Sequence, residues 1–183
     1  MDIYFGKLTD AYYERWPLTL IDVGARGGLQ PNWRNARRHL RHVGFEPDPA
    51  EYARLASRSD PRRSVFINAA AGREAGRPLL NVGHVGGTSS LSQPNLEFLR
   101  RFPDPDRYEV VRRVEIETDR LDALLPRHGV SDPDFIKIDT QGAELAILEG
   151  ARDMLAPAKA SADFHLLARF DDDYLFEVLP GTQ

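Results

Sequence analysis

The chain predicts an α/β fold, a parallel sheet with helices on both faces, and three observations carry that expectation. Apolar runs alternate with helical patterns from residue 18 onward. The first run closes as LIDVGARGG at Leu20–Gly28, an acid followed by a glycine-rich turn. The second closes as VGFEP at Val43–Pro47, which sets Glu46 at a strand tip about 20 residues beyond the turn, the spacing of an acid that takes ribose hydroxyls.

Taken in order, Ile3–Trp16 reads as an amphipathic helix, with Ile3, Tyr4, Leu8, Ala11, Tyr12 and Trp16 near helical spacing and Pro17 ending it. Thr19–Val23 is a buried strand, Asn32–Leu40 a helix and His42–Glu46 the second strand. Pro49–Ser57 is a helix, with Asp48 as N-cap and proline in its first turn. Ser64–Ala69 is the third strand. Right-handed crossovers place strand 1 centrally, with strands 2 and 3 stepping outward.

The middle is less regular. Leu79–Val82 and Val110–Thr118 are short strands, the second alternating apolar and charged residues. Between them lie a Gly/Ser/Thr loop, His84–Pro94, and a short helix near Asn95–Phe102. Asp119–Leu125 reads as a helix capped by Thr118 or Asp119. Asp134–Asp139 is a strand ending in an acid, followed by a helix from Ala143 to Leu155 closed by Pro157. Phe164–Arg169 and Tyr174–Leu179 form a terminal strand pair. All this reads as one domain over 1–183: an N-terminal helix (1–17), a core (18–157) and the strand pair (158–183).

Composition narrows the function classes. The 183 residues are 42% hydrophobic and 28% charged with a net charge of −4, an ordinary globular balance that asks for no polyanionic partner. The basic cluster Arg34–Arg41 reads as a solvated helix face, so no nucleic acid is expected. No cysteine is present, which excludes disulfides, thiol nucleophiles and Cys-ligated metals. The five histidines lack metal-ligand spacing, and no metal is expected. No signal peptide or membrane-length apolar run is legible, so the expectation is a cytoplasmic protein without a membrane partner.

The pattern D-x-G-x-x-G-G departs from the dinucleotide fingerprint, which favours an adenosine cofactor without a pyrophosphate and leaves an NAD-binding oxidoreductase as an alternative. In KIDTQGAE, Lys137–Glu144, Asp139 leaves a strand expected beside strand 1 and so faces the cofactor. Glu144 reads either as helix capping or as a site group. Ser89 and Ser90 lack the G-x-S-x-G elbow of a hydrolase, and His84 is the histidine whose loop can cover the pocket.

In sequence, LIDVGARGG, VGFEPDP, INAAAG, GGTSSL, TDRLDALL and FIKIDTQGAELAILEGA resemble the FkbM family of S-adenosylmethionine-dependent methyltransferases over roughly Leu18–Leu155. The resemblance implies a class I methyltransferase (Rossmann-like) fold. It implies that Asp22, Gly24, Gly27 and Gly28 serve the methionine end of S-adenosylmethionine, Glu46 the ribose, and Asn68 and Ala69 the adenine. It also implies that Asp139 lies by the cofactor's methyl group and the acceptor, as catalytic base or orienting group with His84 second to it. The implied reaction is O-methylation of a sugar or other small hydroxylated metabolite. Arg26 departs from the family, which more commonly carries a small or polar residue such as Asn there. The short tail after Leu155 suggests a C-terminally shortened sheet of order 3-2-1-4-5-7, with Tyr174–Leu179 as an exposed antiparallel edge. That edge predicts a homodimer, and the shortening raises a second reading, a catalytically impaired binding module of the same fold.

Overall fold

The computed structural model describes residues 12–33, 35–161, 164–170 and 173–178, with side chains as far as residue 156. In chain order the strands are β1 (Leu18–Val23), β2 (Leu40–Phe45), β3 (Ser64–Ile67), β4 (Ala70–Ala71) and β5 (Leu79–Gly83). They continue as β6 (Val110–Glu115), β7 (Thr118–Asp119), β8 (Phe135–Ile138), β9 (Phe164–Phe170) and β10 (Asp173–Val178). The helices are α1 (Pro49–Ala56), α2 (Leu96–Leu99), α3 (Leu121–Arg127), α4 (Glu144–Glu149) and α5 (Arg152–Ser161).

A six-stranded sheet, ordered β3-β2-β1-β8-β10-β9, forms the centre, and its first four strands are parallel. β1 is buried on both faces, which is why it reads as a continuous apolar run rather than an alternation. Ile21, Val23, Val43, Phe45 and Ile67 face α3, α4 and α5 through Leu121, Leu124, Ile147 and Met154, with Ala151 between the last two helices. Leu20, Leu40 and Ala36, with Trp33 and Phe135, fill the opposite face. Each fully buried side chain of this size contributes about 1.5–3 kcal/mol. The register pairs Val23 with Phe45 on one side and Ile138 on the other. Gly24, Glu46 and Asp139 therefore leave the sheet along one edge, the carboxyl ends of the parallel strands.

Several expectations are corrected. Asn32–Leu40 is not a helix: Pro31–Trp33 and Arg37–His39 are separate 3-10 turns, and β2 begins at Leu40. The expected helix from Ala143 to Leu155 is two helices broken at Gly150, and α5 runs past position 157, so Pro157 does not close it. Gly150 is the C-cap at the break, and close packing requires glycine there, because a Cβ would lie 2.0 Å from the Gly72 carbonyl oxygen. α5 is then capped from a distance, as Asp122 accepts from the backbone N–H of Asp153 (3.1 Å) and Met154 (3.0 Å). The N-cap of α3 is Arg120, not Thr118 or Asp119, while Asp119 accepts the Arg120 N–H at 2.8 Å. The last two strands are transposed relative to 3-2-1-4-5-7. β10 inserts antiparallel between β8 and β9, so β9 holds the edge expected for Tyr174–Leu179. Of the N-terminal helix, residues 12–15 are helical, Trp16 has already left the helix, and residues 3–11 lie outside the described residues.

Asp48 caps α1 as expected, accepting from Ala50 N–H at 3.1 Å. Two minor ladders flank the sheet: β4 parallel to β7, and β5 antiparallel to β6. The second carries the loop of residues 84–91 to the carboxyl edge, where it meets the site.

Candidate functional site

The site begins where β1 stops. Gly24 and Ala25 both donate to the Phe45 carbonyl, at 3.2 and 3.0 Å, which folds the chain back over the tip of β2. Gly24 has φ +84°, and a Cβ there would sit 2.0 Å from the carbonyl oxygen of Asp139. Only glycine satisfies both demands. The turn after β1 thus lies directly against the exit of β8.

This juxtaposition opens a cavity of about 240 Å³ lined by Gly24, Arg26, Glu46, Pro47, Asp139, Thr140 and Gln141, with Leu80 and Ile116 as apolar walls. Gly86, Gly87, Ser89, Ser90 and Leu91 complete it from the opposite side. Ser90 Oγ donates to the Gln141 carbonyl at 2.8 Å, latching the loop across the cavity. The Arg26 guanidinium lies flat against Gly86, where a Cβ would fall 2.0 Å from it.

Glu46 is 3% exposed, and the one protein donor to its carboxyl among the described residues is the Asp48 N–H at 2.9 Å. Burial pushes its pKa up to about 7, although the Asp48 N–H and nearby Arg26 act against the rise. Two residues on, Asp48 is equally buried. Burial raises it too, but the paired Arg112 contacts of 2.6 Å, the Ala50 N–H and Arg26 outweigh that and hold it below its usual value. A buried carboxylate this short of donors suits a ligand presenting hydroxyl groups.

Behind the cavity runs a chain of polar side chains, buried as far as Lys137. His42 Nε2 meets Asp22 Oδ2 at 3.1 Å, and Asp22 Oδ1 accepts from Lys137 Nζ at 3.0 Å. The same ammonium lies 3.2 Å from Asp139 Oδ2, which also accepts from Gln30 Nε2 at 3.2 Å. Asp139 is therefore gripped through one oxygen, and Oδ1 has no hydrogen-bond partner among the described residues.

The structure brings Gly24, Glu46 and Asp139 together in the cavity lining and does not bring the other sequence candidates there. Asp22 is buried in the charge chain. Gly27 and Gly28 turn away, and the Gly27 N–H donates to Glu51 at 2.9 Å. Asn68 instead clamps the strand exit, donating to the Glu46 and Pro47 carbonyls at 2.9 and 3.1 Å. Ala69 is core. His84 is exposed outside the cavity, its backbone N–H bonded to the Glu109 carbonyl. Glu144 Oε1 accepts from Thr140 Oγ1 and the Gly142 N–H at 3.0 and 3.2 Å, the capping-type arrangement.

Lys137, Glu51 and Arg26 are the participants that sequence reasoning did not single out as site groups. A signal existed for Lys137, since a lysine inside an apolar parallel strand is buried only with carboxylates to meet it. Glu51 carried none beyond its place in the first turn of α1.

The methyltransferase FkbM domain matches this chain over residues 22–161. No curated protein matches it. Among solved structures it is similar to the crystal structure of methyltransferase FkbM from Methylobacillus flagellatus KT, with a TM-score of 0.48 and 19% identity. The alignment covers 78% of this chain and 31% of that one, so the chain spans under a third of that protein.

Proposed function

We propose that this chain, which belongs to the FkbM methyltransferase family, uses S-adenosylmethionine to methylate a hydroxyl oxygen of a small metabolite such as a sugar. The observation that carries the cofactor reading is Glu46: a carboxylate 3% exposed, at the tip of β2, lining the cavity with one protein donor. Two ribose hydroxyls supply the donors it lacks. Gly24 offers main chain without a side chain at the same cavity, which fits close approach of the methionine end. When bound, the cofactor supplies an electrophilic methyl group on a sulfonium.

The chain's own work is then positioning. Rate in such an in-line transfer comes chiefly from holding the acceptor oxygen on the reaction axis. Asp139 offers Oδ1 to the acceptor hydroxyl, orienting it and taking its proton as the new bond forms. Lys137 and Gln30 hold the other oxygen, which keeps the carboxylate in one rotamer. Thr140 and Gln141, with the loop of residues 84–91, shape the acceptor's side of the cavity. Among the described residues no helix is long and apolar enough to cross a membrane; the reading places the reaction in the cytoplasm on a small acceptor. The edge position of β9 supports a homodimer formed through that strand, to be read by light scattering.

Calorimetry with S-adenosylhomocysteine tests the cofactor reading. Wild type binds, and Glu46→Ala loses about 1.5–3 kcal/mol of binding free energy, the worth of hydrogen bonds to a charged group. Absence of wild-type binding, or equal binding by the variant, refutes it. A screen of hydroxylated metabolites for release of S-adenosylhomocysteine identifies the acceptor, and with it Asp139→Asn lowers turnover by about 10²-fold or more.

A further inference from the structure

A second and larger cavity lies behind the glycine turn. It is a groove of about 420 Å³, with one wall from the β1–β2 connection and the other from the end of α1 and the loop that follows. Its lining shares no residue with the first cavity. Leu40 and Leu55, both buried, and Phe66 supply apolar surface.

The charge of the groove is opposite to that of the chain. Arg37, Arg54, Arg58 and Arg63 line it with Asp60 as the one acid, in a protein of net charge −4. Arg54 is neutralised by Glu51, and Arg63 donates from Nη1 to the Arg38 carbonyl at 2.6 Å. Arg37 and Arg58, which come from different segments, have no hydrogen-bond or ion-pair partner among the described residues. The lining also includes His42, 1% exposed, whose Nδ1 finds no partner among the described residues. Unpaired guanidinium forks match phosphate oxygens in geometry and charge. Apolar surface beside them takes the uncharged body of a ligand.

We propose that this groove binds a phosphorylated small molecule. The site stands independently of the methyl-transfer reading, because neither Arg37 nor Arg58 touches the cavity of Glu46 and Asp139.

Titration calorimetry of the full chain with sodium pyrophosphate at low ionic strength tests it. Wild type shows saturable binding at one site per chain. Arg37→Ala and Arg58→Ala each weaken that binding about tenfold or more, while Arg100→Ala, an exposed arginine outside the groove, leaves it unchanged. All three positions are exposed, and thermal melts establish that each variant is folded. The proposal is overturned if wild type gives no saturable binding, if both groove variants bind as wild type does, or if Arg100→Ala weakens binding equally. Tighter binding of a single-stranded oligonucleotide than of pyrophosphate, lost in the same two variants, overturns it in favour of a nucleic-acid surface. Failure of S-adenosylhomocysteine to bind leaves this outcome untouched.

Discussion

Two glutamates stand on opposite sides of the glycine turn, and their environments are opposites. Glu51, behind it, accepts from the Gly27 N–H and from two nitrogens of Arg54, whose bonds hold it at about 2 despite its burial. Glu46, in front, has one backbone donor, and burial carries it to about 7. Both are acids within hydrogen-bonding distance of the chain that forms the site. The one whose donors all come from its own protein fixes the turn. The one left short of donors destabilises the fold, and under the proposed function that cost is the stability–activity conflict common at functional sites.

The largest expected effect breaks the turn itself. Gly24→Ala combines a left-handed backbone with overlap onto the Asp139 carbonyl and should cost about 4 kcal/mol or more, measured by urea denaturation. Second comes a gain. Glu46→Gln removes a charge the fold disfavours and should stabilise the ligand-free protein at pH 8 by about 3 kcal/mol. The sign follows from linkage. The folded state holds this proton more tightly than the unfolded state, so wild-type stability falls as pH rises from about 4.5 to about 7. The advantage of Glu46→Gln therefore shrinks to under about 1 kcal/mol at pH 5, and an equal gain at both pH values contradicts the assignment.

Glu51→Gln should do the reverse, destabilising by about 1.5 kcal/mol at neutral pH. That contribution is complete above about pH 4.5 and is lost as pH falls toward 2, because here the folded pKa is depressed. The smallest effect is Gly27→Ala, where open space surrounds the added Cβ and only its φ of +81° opposes it, costing about 1 kcal/mol. Near-equal losses at Gly24 and Gly27 in thermal or urea unfolding would erase the distinction between the two sides of the turn.

What the sequence made legible were features set by local chemistry. The parallel strands announce themselves as apolar runs because both faces are buried, and Asp48-Pro49 marks the start of α1 because cap and proline act within one turn. Glu46 and Asp139 were legible because strand tips in such a sheet share one edge. The failures were set by tertiary partners. Nothing near Gly150 in the chain announces that the Gly72 carbonyl will approach it so closely that only glycine fits at the helix break. Gly27 looked like a cofactor glycine until Glu51, 24 residues away, took its N–H. The order of β9 and β10 depends on which strand β8 accepts, a choice between two similar apolar segments.

The contact between Gly24 and the Asp139 carbonyl is made main chain to main chain. It contains no rotamer, so as long as position 24 stays glycine no side-chain exchange at Asp139 can lengthen or relax it. The spacing between the turn and the exit of β8 at Asp139 is in effect a fixed gauge of the fold. The far side of the cavity is different, for the 84–91 loop meets Gln141 through the hydroxyl of Ser90. Variation in the shape of the cavity is thereby channelled into that loop and Thr140–Gln141, which can be exchanged while the gauge stays set.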